Sequence, residues 1–119
     1  MAKNMELVAL FDVYGALLTE KQQAMFTFYY DDDLSLGEIA ENEGISRQGV
    51  RDAIARAEVQ LLVWEEALGF VARGRAEAQR MEKIAQKAQA IAAATKGHSS
   101  LWEIHERATE IAELTSDKG

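Results

Sequence analysis

The stretch "ISRQGVRDAIARAE", residues 45–58, gathers Ser46, Arg47, Gln48, Arg51 and Arg56 within eleven positions. These residue types suit the handling of nucleic acid. A guanidinium can bridge O6 and N7 of guanine, and a glutamine amide can pair with adenine in the same two-pronged way. Arginine and serine also bind phosphate oxygens, which fixes register without reading sequence. Two neighbours temper the pattern. Asp52 would repel phosphate, although it could accept from a cytosine amino group, and Gly49 offers no side chain. The competing account of the same residues is a solvated polar face on a packing helix.

A face of this kind needs elements to aim it. In a helix-turn-helix the first helix carries a small residue where the second crosses it. A glycine then makes the turn, and an apolar residue follows into the core. Ala40, Gly44 and Ile45 fill those places, with Ile39 and Val50 as the packing pair. Ser35 with Glu38 forms a capping box that opens the first helix, and Ser46 caps the second. The first turn of that second helix would face a major groove.

Apolar spacing predicts helices on both sides of the corner. Met5, Leu7, Val8, Leu10, Phe11 and Tyr14 give an amphipathic helix over 4–17. Thr19 with Gln22 makes another capping box for a helix over 20–30, stopped by Asp31, Asp32 and Asp33. After Ser46 a long helix carries Val50, Ile54, Ala57, Leu61, Trp64 and Leu68 as one stripe, and Val59, Leu62 and Val63 as a second. Gly69 and Gly74 bracket a break. A helix over 75–95 follows, then one opened by a Ser100–Glu103 capping box. The expected fold is all-α: a helix-turn-helix domain over 1–72, then a helical hairpin extension over 73–119. Surplus apolar residues within 57–68, 81–92 and 101–112 suggest self-association, most simply as a homodimer.

Totals narrow the classes. The formal charge is −7, yet it is unevenly spread. Residues 1–46 hold 2 basic and 9 acidic side chains, 47–96 hold 9 and 6, and 97–119 hold 2 and 5. The acidic total therefore hides a basic middle, and the average does not exclude nucleic acid. A second basic stretch, Arg73, Arg75, Arg80, Lys83 and Lys87, is either ordinary surface charge or a further phosphate contact suited to RNA. Cysteine is absent, which removes disulfides, thiolate catalysis and cysteine-ligated zinc. No apolar run is long enough for membrane insertion and no signal peptide is evident, so the expected location is the cytoplasm.

Other chemistry finds no frame. Asp31, Asp33 and Ser35 alternate like the start of a calcium loop, but its glycine and glutamate positions hold Leu36 and Asn42. His98 and His105 lack further ligands for zinc. The eight glycines form no phosphate-binding loop, and no nucleophile stands beside a base. Neither a cofactor nor a catalytic or metal site is expected, and the chain does not read as an enzyme. Trp64 and Trp102 lie on apolar faces, as core or interface aromatics do.

The segment "LLTEKQQAMFTFYYDDDLSLGEIAENEGISRQGVRDAIARAE", residues 17–58, resembles the promoter-reading C-terminal domain of bacterial sigma factors. It is more closely similar to the YlxM family of small helix-turn-helix proteins encoded beside signal recognition particle genes. The aromatic pair before the acids and the G-I-S-R-Q corner carry that likeness. It implies a sigma-like fold and a regulatory or accessory role in signal-recognition-particle protein targeting, with the particle's RNA or protein components as partners. A transcriptional regulator reading duplex DNA as a dimer is the alternative, and a protein-binding scaffold a third. The chain departs from the sigma pattern at Ala53, where Ile54 takes over the packing one position later. It departs from YlxM at Gly49 and Arg51, where alanine and an aromatic are expected.

Overall fold

A computed structural model describes residues 2–116. Among the described residues there are six α-helices and no strand. They are α1 (Glu6–Tyr14), α2 (Glu20–Tyr30), α3 (Leu36–Glu43), α4 (Arg47–Leu68), α5 (Phe70–Thr95) and α6 (Trp102–Leu114). The fold is all-α, as composition and spacing predict. The chain divides into two compact units, one through Val71 and one from Ala72.

The first unit is built around α4, which packs against α1, α2 and α3. Val50, Ala53, Ile54, Ala57 and Leu61 form its buried face, at the three- and four-residue steps that keep side chains on one side of a helix. Leu7, Leu10, Tyr14, Met25, Phe26, Tyr29, Tyr30 and Ile39 close over that face. The aromatic rings stack: Phe26 lies 4.4 Å from Phe11 and 4.2 Å from Tyr30, centroid to centroid. The Tyr30 hydroxyl donates to Glu58 and accepts from the Asn4 N–H at 3.1 Å. Ile54 is fully buried, as expected, but Ala53 packs in the core beside it, so position 53 is not relieved of that role.

Several boundaries differ from expectation. The first helix ends at Tyr14, and Gly15–Leu17 tightens into a 3-10 turn. The predicted break spanning Gly69 to Gly74 is confined to Gly69, which takes a left-handed φ of 64°, and α5 runs straight through Gly74. Glycine inside a helix costs only about 1 kcal/mol, too little to end one whose neighbours all favour it. The start of α5 is instead fixed by residues distant in sequence. Tyr14 donates its hydroxyl proton to Glu65 at 2.5 Å and accepts from the Phe70 N–H at 3.1 Å, while Glu65 accepts from Val71 N–H at 3.0 Å. Helix donors that a local cap would satisfy are thus met by a tyrosine and a carboxylate.

In the second unit α5 and α6 are joined through Gly97 at φ 80° and a 3-10 turn, Ser99–Leu101. The expected Ser100 capping box does not form: α6 starts at Trp102 with no side-chain cap, because the 3-10 turn already occupies Ser100. Ala85, Ala88, Thr95 and Ala108 are the buried residues here. His105 Nδ1 lies 2.8 Å from the Ala92 carbonyl oxygen and 3.1 Å from Thr95 Oγ1, tying α6 to the end of α5. No helix among the described residues is long and apolar enough to cross a membrane.

Candidate nucleic-acid interface

The corner between α3 and α4 is set by local chemistry. Ser35 Oγ accepts from the Glu38 N–H, and the Glu38 carboxylate accepts from the Ser35 N–H, each at 3.1 Å. Hydrogen bonding to the Ser35 backbone and side chain holds the Glu38 carboxyl below the usual range, against smaller opposing pushes from desolvation and from Asp33. At the far end Gly44 turns the chain with φ 69° and ψ 31°. An L-residue there would strain its backbone by roughly 1–2 kcal/mol. The Ile45 N–H returns to the Ala40 carbonyl at 3.1 Å, and the half-buried Ile45 side chain packs on the core. Ser46 Oγ then accepts from the Gly49 N–H at 3.0 Å and α4 begins. Ile39 and Val50, the expected packing pair, are both fully buried.

With one face of α4 committed to the core, the helical repeat dictates where the polar residues go. Gln48, Asp52 and Ala55 form the ridge opposite the core. Arg47 and Arg51 lie on the flank toward α3, and Arg56 lies on the flank toward the start of α2. All three arginines are exposed. Ser46, expected among the contacts, already spends its hydroxyl oxygen as the cap of α4. Gln48 Nε2 donates to Asp52 Oδ1 at 2.8 Å, so the acid that would repel phosphate is held by its neighbour on the ridge.

Each flank borders a cavity. On one side Arg47 and Arg51 share about 500 Å³ with Tyr29, Ser35, Leu36 and Gly37. On the other, Arg56 shares about 420 Å³ with Thr19, Lys21, Gln22, Gly49 and Asp52. Tyr29, Gly37 and Lys21 escape a reading of the sequence, because they stand on α2 and α3 and meet α4 only once the chain folds. The one local signal is Gly37, a residue without a side chain in the first turn of α3.

The second basic stretch lies on α5, and all five residues are exposed. Arg73, Arg80, Lys83 and Lys87 recur at helical steps and share a face, Arg80 pairing with Glu77, whereas Arg75 falls on another face. Only the stretch 46–56 therefore brings its cations to a corner between helices. Among the described residues no group of acids and histidines is placed to hold a metal ion.

A family model described as "Putative helix-turn-helix protein, YlxM / p13 like" matches residues 1–101. The chain belongs to the UPF0122 family. A UPF0122 protein of Thermoanaerobacter sp. strain X514 is 44% identical over 108 residues, covering 91% of this chain and 92% of the relative. One from Caldanaerobacter subterraneus subsp. tengcongensis is 51% identical over 78 residues, or 66% and 67% of the two chains. One from Geobacillus kaustophilus is 44% identical over 84 residues, or 71% and 76%. The expected likeness to YlxM proteins is thus shown, and it reaches beyond residues 17–58. The UPF0122 match takes in all of the first unit and all of α5, whereas α6 follows it.

Proposed function

We propose that this UPF0122 protein is a non-enzymatic, cytoplasmic nucleic-acid-binding factor that serves the signal recognition particle pathway, gripping the particle's RNA through the α3–α4 corner. The observation that carries the reading is the exposed set Arg47, Gln48, Arg51 and Arg56, held off the core by a helix whose opposite face is fully buried. The basic face of α5 supplies further phosphate contacts. The link to the particle rests on the family likeness, and its protein components are the other candidate partners. Salt-titrated binding of the full chain to signal-recognition-particle RNA, to duplex DNA and to the particle's GTPase tests it. RNA should bind most tightly, with affinity falling as salt rises. Arg47→Ala with Arg51→Ala should weaken RNA binding at unchanged helicity. RNA affinity indifferent to both substitutions would remove the corner from the function.

The second reading is a transcriptional regulator that reads duplex DNA as a dimer. It is favoured by the ridge of α4, where Gln48 stands between basic flanks as on a helix laid in a major groove. Enrichment of a palindrome from random duplexes would support it. Exposed apolar residues favour self-association under either reading: Val59, Leu62 and Val63 on α4, and Met81, Ile84, Ile91, Ile104 and Ile111 on the hairpin. Sedimentation should show a dimer that Ile104→Gln with Ile111→Gln weakens.

A further inference from the structure

We propose that the cavity between α3 and α4 is a seat for one backbone phosphate of a bound nucleic acid, clamped by Arg47 and Arg51. These two arginines then position the polymer, and sequence is read by the Gln48–Asp52 ridge beside them. The inference deepens the proposed function and rests on it.

Three observations carry the assignment. First, Arg47 and Arg51 stand one turn apart on the same flank of α4 and border a single cavity. Like charges four positions apart on a helix repel, and an anion between them reverses the sign of that interaction. Second, neither guanidinium has an ion pair or hydrogen bond among the described residues, although acids are abundant in this unit. Glu38, the acid in the adjoining turn, is committed to the Ser35 N–H and does not line the cavity. Third, the Arg47 guanidinium lies back across α3. Its Nη2, Nε and Cζ atoms sit 3.0, 3.1 and 3.2 Å from where a side-chain carbon on Gly37 would be. The bare backbone at position 37 lets the guanidinium lie this close to α3. An arginine folded back over the neighbouring helix is placed for a groove wall, not for base edges at the groove floor. Planar guanidinium groups are well matched to phosphate oxygens.

The Gly37 contact supplies a test that leaves both arginines in place. An alanine methyl group would push the Arg47 guanidinium aside by a few tenths of an ångström, whereas alanine in the first turn of a helix stabilises relative to glycine. Binding of the full chain would be measured by fluorescence anisotropy, over a salt series, with short duplexes of unrelated sequence and an RNA stem-loop. Arg47→Ala and Arg51→Ala should each weaken binding roughly three- to ten-fold, by the same factor on every sequence, and the two together should lower the salt slope by about one. Gly37→Ala should weaken binding by a smaller factor, again the same on every sequence, with a melting temperature equal to or above the parent's. Gln48→Ala should alter the ranking of sequences instead.

A loss confined to particular sequences on Arg47→Ala or Arg51→Ala would overturn the clamp in favour of base reading. So would parental binding by Gly37→Ala, or micromolar inorganic phosphate competing with the polymer, which would mark a site for the free ion. Those failures leave the proposed function standing. A parent chain that binds neither the duplexes nor the RNA would overturn the function and the clamp together.

Discussion

Tyr14, Phe26, Ile39, Ile54 and Leu61 are among the largest side chains withdrawn from solvent in the first unit, each at 2% exposure or less. The second unit buries Ala85, Ala88, Thr95 and Ala108, and leaves Trp102 60% and Leu114 83% exposed. One unit closes a core of large, interlocked rings. The other brings two helices together through small residues and keeps its large apolar groups outside. At roughly 25 cal/mol per Å² of apolar surface, burial contributes most of a fold's favourable free energy. The first unit therefore has its own means of holding the α3–α4 corner still. Both units retain apolar surface that a further chain could cover, Val59, Leu62 and Val63 in the first and Ile104 and Ile111 in the second, but only the first also buries large side chains.

Core truncation is the bluntest way to break this comparison. Phe26→Ala removes a ring stacked on both Phe11 and Tyr30, and should lower stability by about 3–5 kcal/mol. Ala88→Gly, at a buried contact of the second unit, should cost about 1 kcal/mol, mostly through helix backbone entropy. Urea unfolding of the two variants measures both. Equal costs would mean that the small-residue unit is as tightly determined as the aromatic one.

The junction at Gly69 comes next in size. Tyr14→Phe deletes the donor to Glu65 and the acceptor for the Phe70 N–H while leaving the ring in place. Losing both contacts of the hydroxyl, while Glu65 still accepts from the Val71 N–H, should cost about 1–3 kcal/mol. Denaturant unfolding would show it, and hydrogen exchange should quicken first at Phe70 and Val71. Unchanged exchange there would mean that Gly69 alone fixes the start of α5.

Legibility followed the range of the interactions. The Thr19 and Ser35 capping boxes, the left-handed Gly44 and the Ile39–Val50 pair were all readable, because each depends on residues within a few positions or on the helical repeat. The Tyr14–Glu65 cap joins residues 51 apart, so no local pattern announces it, and two glycines suggested a longer break instead. Ser100 and Glu103 have capping spacing, yet the tight turn after Gly97 takes that serine first. In the candidate site, the arginines of α4 were visible as types and positions. The seat they share was not, because Gly37 and Tyr29 reach it only through packing.

The narrowest effect is confined to alkaline pH, and it also separates the units, since all three tyrosines belong to the first. Burial pushes the Tyr30 hydroxyl up from 10.0 to about 12, helped by its hydrogen bond to Glu58. Ionisation would replace that donor with a second negative charge beside the carboxylate. An unfolded chain releases this proton near 10.0, whereas the folded one holds it to about 12. The contribution is therefore complete below pH 10.0 and is lost as pH rises toward about 12. Tyr30→Phe should be less stable than the parent at neutral pH, because Glu58 loses its donor, but should lose less stability across the alkaline window. Unfolding free energies from denaturant titrations at a series of pH values give the two slopes. Parallel slopes would show that the hydroxyl is not what couples the aromatic core to pH.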